Sequence, residues 1–294
     1  MSRVSVLIPS RNEPYLEKTV DGLFAAAAGD IEVIVVQDGP PYTPLHERQN
    51  LTVLCEPERG LKACLNQAAT LATGDYFMKI DAHCSISKGW DILMQDCADN
   101  WVVIPRLYVL DADTWDWQDG RFYDHFYLPC PITDKRMFRF QAGGHWPQRT
   151  QERLAASPLD ETMNFQGSCW FMTRKHYWDH LQGWVCNDFT GCAQEQTTIG
   201  LQTWLGPWDG RCMTNKSVWY AHMHKGRQHP RGYPASSQTI NAGYLYDAEY
   251  WMAGTWEQLA RGVGWLVARF APVPTWPDNW REMYAAWLRK RKTP

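Results

Sequence analysis

The sequence predicts an α/β protein with a mostly parallel central sheet, helices on both of its faces and a helical extension at the C-terminus. Three observations lead there. Strand and helix signals alternate through the first hundred residues. The strand segments are near-continuous apolar runs, the pattern of strands covered on both faces. Each main run is followed by a polar cluster, namely Arg11-Asn12-Glu13, Asp38-Gly39 and Asp81-Ala82-His83. In an open parallel sheet such clusters share one edge, beyond the carboxyl ends of the strands, where ligands bind.

Val4 to Ile8 is the first run, closed by Pro9. The segment from Pro14 to Ala28 then puts Leu16, Val20, Leu23, Phe24 and Ala27 on one helical face, and Gly29-Asp30 stops it. Ile31 to Val36 is a β-branched run before the Gly-Pro-Pro turn at 39–41, and Leu51 to Leu54 is a shorter strand. A second helix covers about Leu61 to Ala72, and Gly74 leads into Tyr76–Ile80. Trp101 to Pro105 reads as another strand, whereas residues 111–150 are polar, aromatic and without helical period. Phe165 to Thr173 is expected as a strand interrupted at Gly167, and Val218 to Met223 as one more. From Asp247 the pattern is helical, with Pro272, Pro274 and Pro277 separating two helices. The division implied is a sheet-based domain over 1–230 and a helical extension over 231–294.

Composition narrows the function. With 294 residues, 45% hydrophobic and 21% charged, the chain can bury a substantial core, and nothing in it signals bulk disorder. A net charge of -3 provides no global attraction to nucleic acid or anionic membrane. No stretch approaches the ~20 apolar residues of a membrane span, so no membrane insertion is expected. Met1 runs into an apolar strand without the pattern of a signal peptide. The nine Cys include no C-x-x-C pair, which suits a reducing, cytoplasmic setting. Trp is abundant at 17 residues, available for packing or for stacking on sugars and bases.

Chemistry concentrates at Asp81-Ala82-His83. A carboxylate and an imidazole two residues apart at a strand end can share one divalent ion, and this donor pair suits Mn2+ or Mg2+. Such a site leaves positions open for diphosphate oxygens.

The ordered segments Val4–Glu13, Val35-Val36-Gln37-Asp38-Gly39, Gly74-Asp75 and Asp81-Ala82-His83-Cys84 resemble the nucleotide-sugar half of family 2 type glycosyltransferases. Asp-x-His-Cys in place of Asp-x-Asp is similar to the polypeptide N-acetylgalactosaminyltransferases. Later segments keep the same order: Val102–Pro105 with Asp113-Thr114-Trp115, Ser168-Cys169-Trp170-Phe171, Glu195-Gln196 with Gln202-Thr203-Trp204, and Val218–His222. The resemblance covers about residues 3–225 and implies a GT-A, Rossmann-like fold.

It implies a metal held by Asp81, His83 and His222, with His224 competing for the third place because it shares a strand face with His222. It implies a UDP-sugar donor contacted by Pro9, Arg11, Asp38, Arg59 and Asp81. Asp38 would accept hydrogen bonds from uracil or ribose, its alternative being a turn residue before Gly39-Pro40. Glu195 would touch the reacting sugar or acceptor. Inverting relatives carry Glu-Asp there; this chain has Glu-Gln, which favours a retaining enzyme. The segment Lys225–Tyr233 would close over the donor as a lid, or serve as a plain solvated loop. The acceptor implied is a hydroxyl: a hydroxylated DNA base, with basic groups at Lys225–Arg231 and Arg289–Lys292 near phosphates, or else protein Ser/Thr or a glycan. A non-catalytic carbohydrate-binding protein on a degenerate transferase fold is the competing reading. The Asp81, His83 and His222 set weighs against it.

Overall fold

The structure is a computed structural model that describes residues 2–140, 144–184, 195–226, 229–232 and 236–292. Its first half runs β1 (Val4–Ser10), α1 (Leu16–Ala26), β2 (Ile31–Asp38), β3 (Leu51–Glu56), α2 (Leu61–Leu71) and β4 (Tyr76–Ile80). There follow β5 (Cys84–Ile86), α3 (Trp90–Leu93), β6 (Trp101–Asp111), β7 (Asp116–Tyr123), β8 (Phe126–Tyr127), β9 (Gly144–His145), α4 (Pro147–Glu152) and β10 (Leu159–Glu161). The last part holds β11 (Cys169–Thr173), a π-helical turn at His176–His180, α5 (Glu195–Leu205), β12 (Arg211–His222), α6 (Ser237–Ala253), α7 (Val263–Phe270) and α8 (Trp280–Lys292).

Among the described residues one ten-stranded sheet dominates, in the order β10-β12-β6-β11-β4-β1-β2-β3, with β5 paired to β12 and β7 to β6. β3, β2, β1 and β4 are mutually parallel, as the alternating first half predicts. β11 then enters antiparallel to both β4 and β6, so the sheet is mixed beyond β4. Side-chain alternation decides which helix covers which face. Val4, Val6 and Ile8 of β1 pack with Leu16, Val20 and Leu23 of α1. Leu7 points the other way and packs with Cys64, Leu65 and Ala68 of α2. The C-terminal helices join this second face, where Trp251, Leu266 and Phe270 share a core with Trp170 and Val102.

Several elements differ from the sequence expectation: β11 starts only at Cys169, α6 starts at Ser237 rather than at Asp247, and β8, β9 and the start of α4 fall in the region read as irregular. β12 begins at Arg211, seven residues before the apolar run that announced it. Its polar middle, Thr214 to Ser217, hides the strand, and the register shifts there between Asn215 and Trp219. The 111–150 region holds β7, which folds back on β6 through a tight turn. Asp111 Oδ1 accepts the N–H groups of Asp113 and Thr114 at 2.9 and 3.1 Å, a local side-chain cap of the kind Asp favours. Among the described residues no helix is long and apolar enough to cross a membrane.

Candidate functional site

The carboxyl ends of β1, β2 and β4 form one polar edge, since β1 lies between the other two. Asp81 follows β4 directly, and its N–H donates to the Ser168 carbonyl at 2.8 Å, which fixes the backbone there. β5 pairs antiparallel with β12 so that Cys84 stands opposite His222. That register carries His83 to the same place. The result is three donors converging: His83 Nε2 lies 3.1 Å from His222 Nε2, and Asp81 Oδ2 lies 3.2 Å from His222 Nε2 and 4.0 Å from His83 Nε2.

These residues fit a divalent ion. Donors about 2.1 Å from an octahedral ion stand roughly 3 Å apart at adjacent positions, and the two spacings to His222 match. Burial holds the His222 imidazole down to about 4, against the pull of Asp81, so it is a neutral donor at pH 7. Its Nδ1 is buried without a hydrogen-bond partner. His224, the competitor, is exposed and stands edge-on to His222 at 4.8 Å between ring centres. It is not part of the converging set.

Two charged residues around this set were not assigned a role from sequence. Glu13 is buried, with Oε2 2.9 Å from His83 Nδ1 and 2.8 Å from Lys225 Nζ. Burial would raise its carboxyl, but His83 and Lys225 outweigh that and hold it low. Lys79, only 1% exposed, sits inside the apolar strand β4. A lysine in a buried strand must find partners, and that was the available signal. Its Nζ donates to Asp81 Oδ1 at 2.6 Å, to the Gly167 carbonyl at 2.6 Å and to Glu195 Oε2 at 3.0 Å. Burial would lower this ammonium, yet Asp81 and Glu195 together raise it, so it stays charged. Asp81 is the converse: burial would raise its carboxyl, and Lys79, aided by His222 and His83, holds it far below its usual range.

Glu195 opens α5 and is 3% exposed. Trp170 stands directly opposite Lys79 in the β11–β4 register, so both reach the same side of the sheet. Glu195 meets them there, taking the Trp170 indole N–H on Oε1 at 2.6 Å and Lys79 on Oε2. Burial, with Asp81 adding to it, raises this carboxyl despite Lys79 and Trp170. Through Lys79 it is linked to the convergent set.

The residues expected at the nucleotide lie on the same edge. Pro9 is near the end of β1, paired with Val36. Asp38 ends β2 and accepts the N–H groups of Arg59 at 2.6 Å and Gly60 at 3.1 Å. Gly60 has φ of +86°, a left-handed conformation that glycine adopts freely and other residues rarely do. Asp38 therefore anchors the start of α2, where a carboxylate also suits the helix dipole. Arg59 donates to Gln67 Oε1 at 3.0 Å, and Arg11 to Glu58 Oε2 at 2.6 Å. Of the segment expected as a lid, Arg227, Gln228 and Tyr233 lie outside the described residues. Within it Gly232 accepts from the Asn12 side chain at 3.0 Å, and Lys225 reaches Glu13.

Beside this edge, Tyr15, Tyr108, Trp115, Trp117 and Trp219 are half-buried and pack on Leu110, Ala221 and Met223. Tyr15 stacks on Trp115 with ring centres 5.5 Å apart.

Residues 5–181 match the family model described as Glycosyl transferase family 2. Polypeptide N-acetylgalactosaminyltransferase 3 of Taeniopygia guttata is 23% identical over 268 residues, covering 84% of this chain and 42% of that protein. Polypeptide N-acetylgalactosaminyltransferase 3 of Homo sapiens is 23% identical over 265 residues, covering 84% of this chain and 41% of that protein. The chain thus spans about two fifths of the length of these relatives. A crystal structure of GalNAc-T7 with UDP, GalNAc and Mn2+ superposes with a TM-score of 0.60 at 14% identity, covering 98% of this chain and 55% of that one. The shared feature is the GT-A fold.

Proposed function

The chain belongs to glycosyl transferase family 2, and from that membership we propose that it is a metal-dependent glycosyltransferase using a UDP-sugar donor and a hydroxyl acceptor. The observation that carries this reading is the convergence of Asp81, His83 and His222 beside the strand ends that bear Arg11 and Asp38. A pure sugar binder has no use for such a set. Asp81, His83 and His222 would hold Mn2+ or Mg2+. When bound, the ion supplies charge neutralisation for the departing diphosphate. The use of UDP and Mn2+ is supported by the related GalNAc-T7 structure, which contains both.

The protein's own residues would do the rest. Pro9, Arg11, Asp38 and Arg59 line the nucleotide side, with Asp38 holding the Arg59-Gly60 backbone in place. Lys225 and the segment after it would cover the donor and exclude water, and the Lys225–Glu13 pair supports this by tying the segment to the site. In the reaction the acceptor oxygen would bond the anomeric carbon as the bond to UDP breaks, and the acceptor hydroxyl's proton would pass to the departing diphosphate oxygen. Retention is the stereochemistry we propose, because Gln196 stands where inverting relatives carry a base. Glu195 stays a candidate for contact with the sugar. Its oxygens accept from Lys79 and the Trp170 indole, so its influence on the site runs through Lys79.

For the acceptor, a hydroxylated DNA base is the first candidate. The half-buried aromatic cluster next to the strand bearing His222 supports it by offering flat faces for a displaced base. The test is transfer from a panel of nucleotide sugars with Mn2+, read by mass spectrometry of hydroxymethylated DNA, Ser/Thr peptides and glycans. A glycosylated DNA base is the expected product, and a product on peptide or glycan alone reassigns the acceptor. No sugar release or transfer with any donor, with or without chelator, would overturn the enzymatic reading.

A further inference from the structure

Resting on the reading of Asp81, His83 and His222 as a metal site, the geometry points to a charge relay that tunes it from behind. Lys79 places a full positive charge 2.6 Å from Asp81 Oδ1, on the side away from the histidines. Left alone, that ammonium would consume the charge of Asp81 and repel a divalent ion at Oδ2. It is not alone. An ammonium has three protons to donate, and here they meet Asp81 Oδ1, the Gly167 carbonyl and Glu195 Oε2. Glu195 is itself pinned by the Trp170 indole. Lys79, Trp170 and Glu195 are shielded from water and Asp81 is partly exposed; charges act on one another more strongly out of water than in it.

We infer that Glu195 sets the metal affinity of this site without touching the metal: it cancels the charge of Lys79 and so leaves Asp81 a net negative ligand. Glu195 is in this respect a positioning residue, acting through Lys79. The inference also accounts for a lysine in the middle of a buried strand, a place where an apolar residue would otherwise pack more cheaply.

The test is Mn2+ binding to the intact chain without nucleotide, measured by electron paramagnetic resonance of free Mn2+ and by calorimetry, with melting temperature in parallel. Four proteins are compared: wild type, Glu195→Gln, Lys79→Met and the double variant. Glu195→Gln keeps the acceptor for Trp170 but leaves Lys79 uncancelled, so Mn2+ binding should weaken by about tenfold or more. The double variant carries neither charge and should return to within about threefold of wild type. Transfer by Glu195→Gln should recover as Mn2+ is raised, which a lost sugar contact would not allow. Wild-type affinity in Glu195→Gln overturns the inference, as does a folded double variant that binds as weakly as Glu195→Gln. If Glu195→Gln does not fold, the double variant decides: normal Mn2+ binding supports the relay and weak binding overturns it. A wild-type protein that binds no Mn2+ overturns the metal reading itself.

Discussion

His83 Nε2 and His222 Nε2 stand 3.1 Å apart although 139 residues separate them in the chain. With Asp81 Oδ2 beside them, these two nitrogens complete the set proposed to hold the metal ion. His222→Ala should therefore abolish Mn2+ binding and Mn2+-dependent transfer while the circular dichroism spectrum is unchanged. His224→Ala should retain both. The reverse pattern would move the third ligand to His224.

The nucleotide should be identified by thermal shift. UDP with Mn2+ should stabilise the protein more than either alone and more than adenosine or guanosine diphosphates. Ligand bound to the native state raises stability by mass action, by about 2.7 kcal/mol at a hundredfold excess over Kd. A larger shift with a purine nucleotide would refute the UDP assignment.

Lys79→Met alone should be costly. It strands the buried Glu195 carboxylate and takes the cation from Asp81, which is partly exposed; breaking a buried pair from one side costs about 3 kcal/mol or more. Adding Glu195→Gln removes one of the stranded charges and should restore much of the loss. Urea unfolding of the single and double variants measures this. Equal stability of the two would show that Glu195 does not depend on Lys79.

Stereochemistry is open to a direct measurement. Proton NMR of the first-formed product should show an α-linked sugar from an α-linked donor, the outcome of retention. A β-linked product would place a general base at this site and reopen the search for it.

Acid should loosen the fold through His176. Burial, with His180 adding to it, holds its imidazole at about 3 instead of 6.5. The folded protein thus binds this proton less readily than the unfolded chain does. Its contribution to stability is complete above pH 6.5 and fades as pH falls toward 3, by up to about 1.4 kcal/mol per pH unit. Unfolding at pH 7.5 and pH 5.0, with chelator present, should show a smaller loss for His176→Gln than for wild type. Equal losses would clear His176 of the effect.

By itself the sequence determined the parallel half of the sheet, because periodicity reports burial: the runs at Val4, Ile31 and Tyr76 are near-continuously apolar since helices cover both faces. It also placed Asp81, His83 and Asp38 at strand ends, and the order of motifs placed His222. Where local pattern is weak, the sequence does not reveal the element. β12 was half hidden by its polar bulge, and the turn between β6 and β7 is set by Asp111 rather than by glycine or proline. Only the tertiary structure decided that Lys79 points toward Trp170 and Glu195, and that Glu13 backs His83. The physical reason is register. A strand's face is written in its own residues, but the partner that a buried charge finds depends on how distant strands align, and a slip of one residue would turn each side chain to the other face.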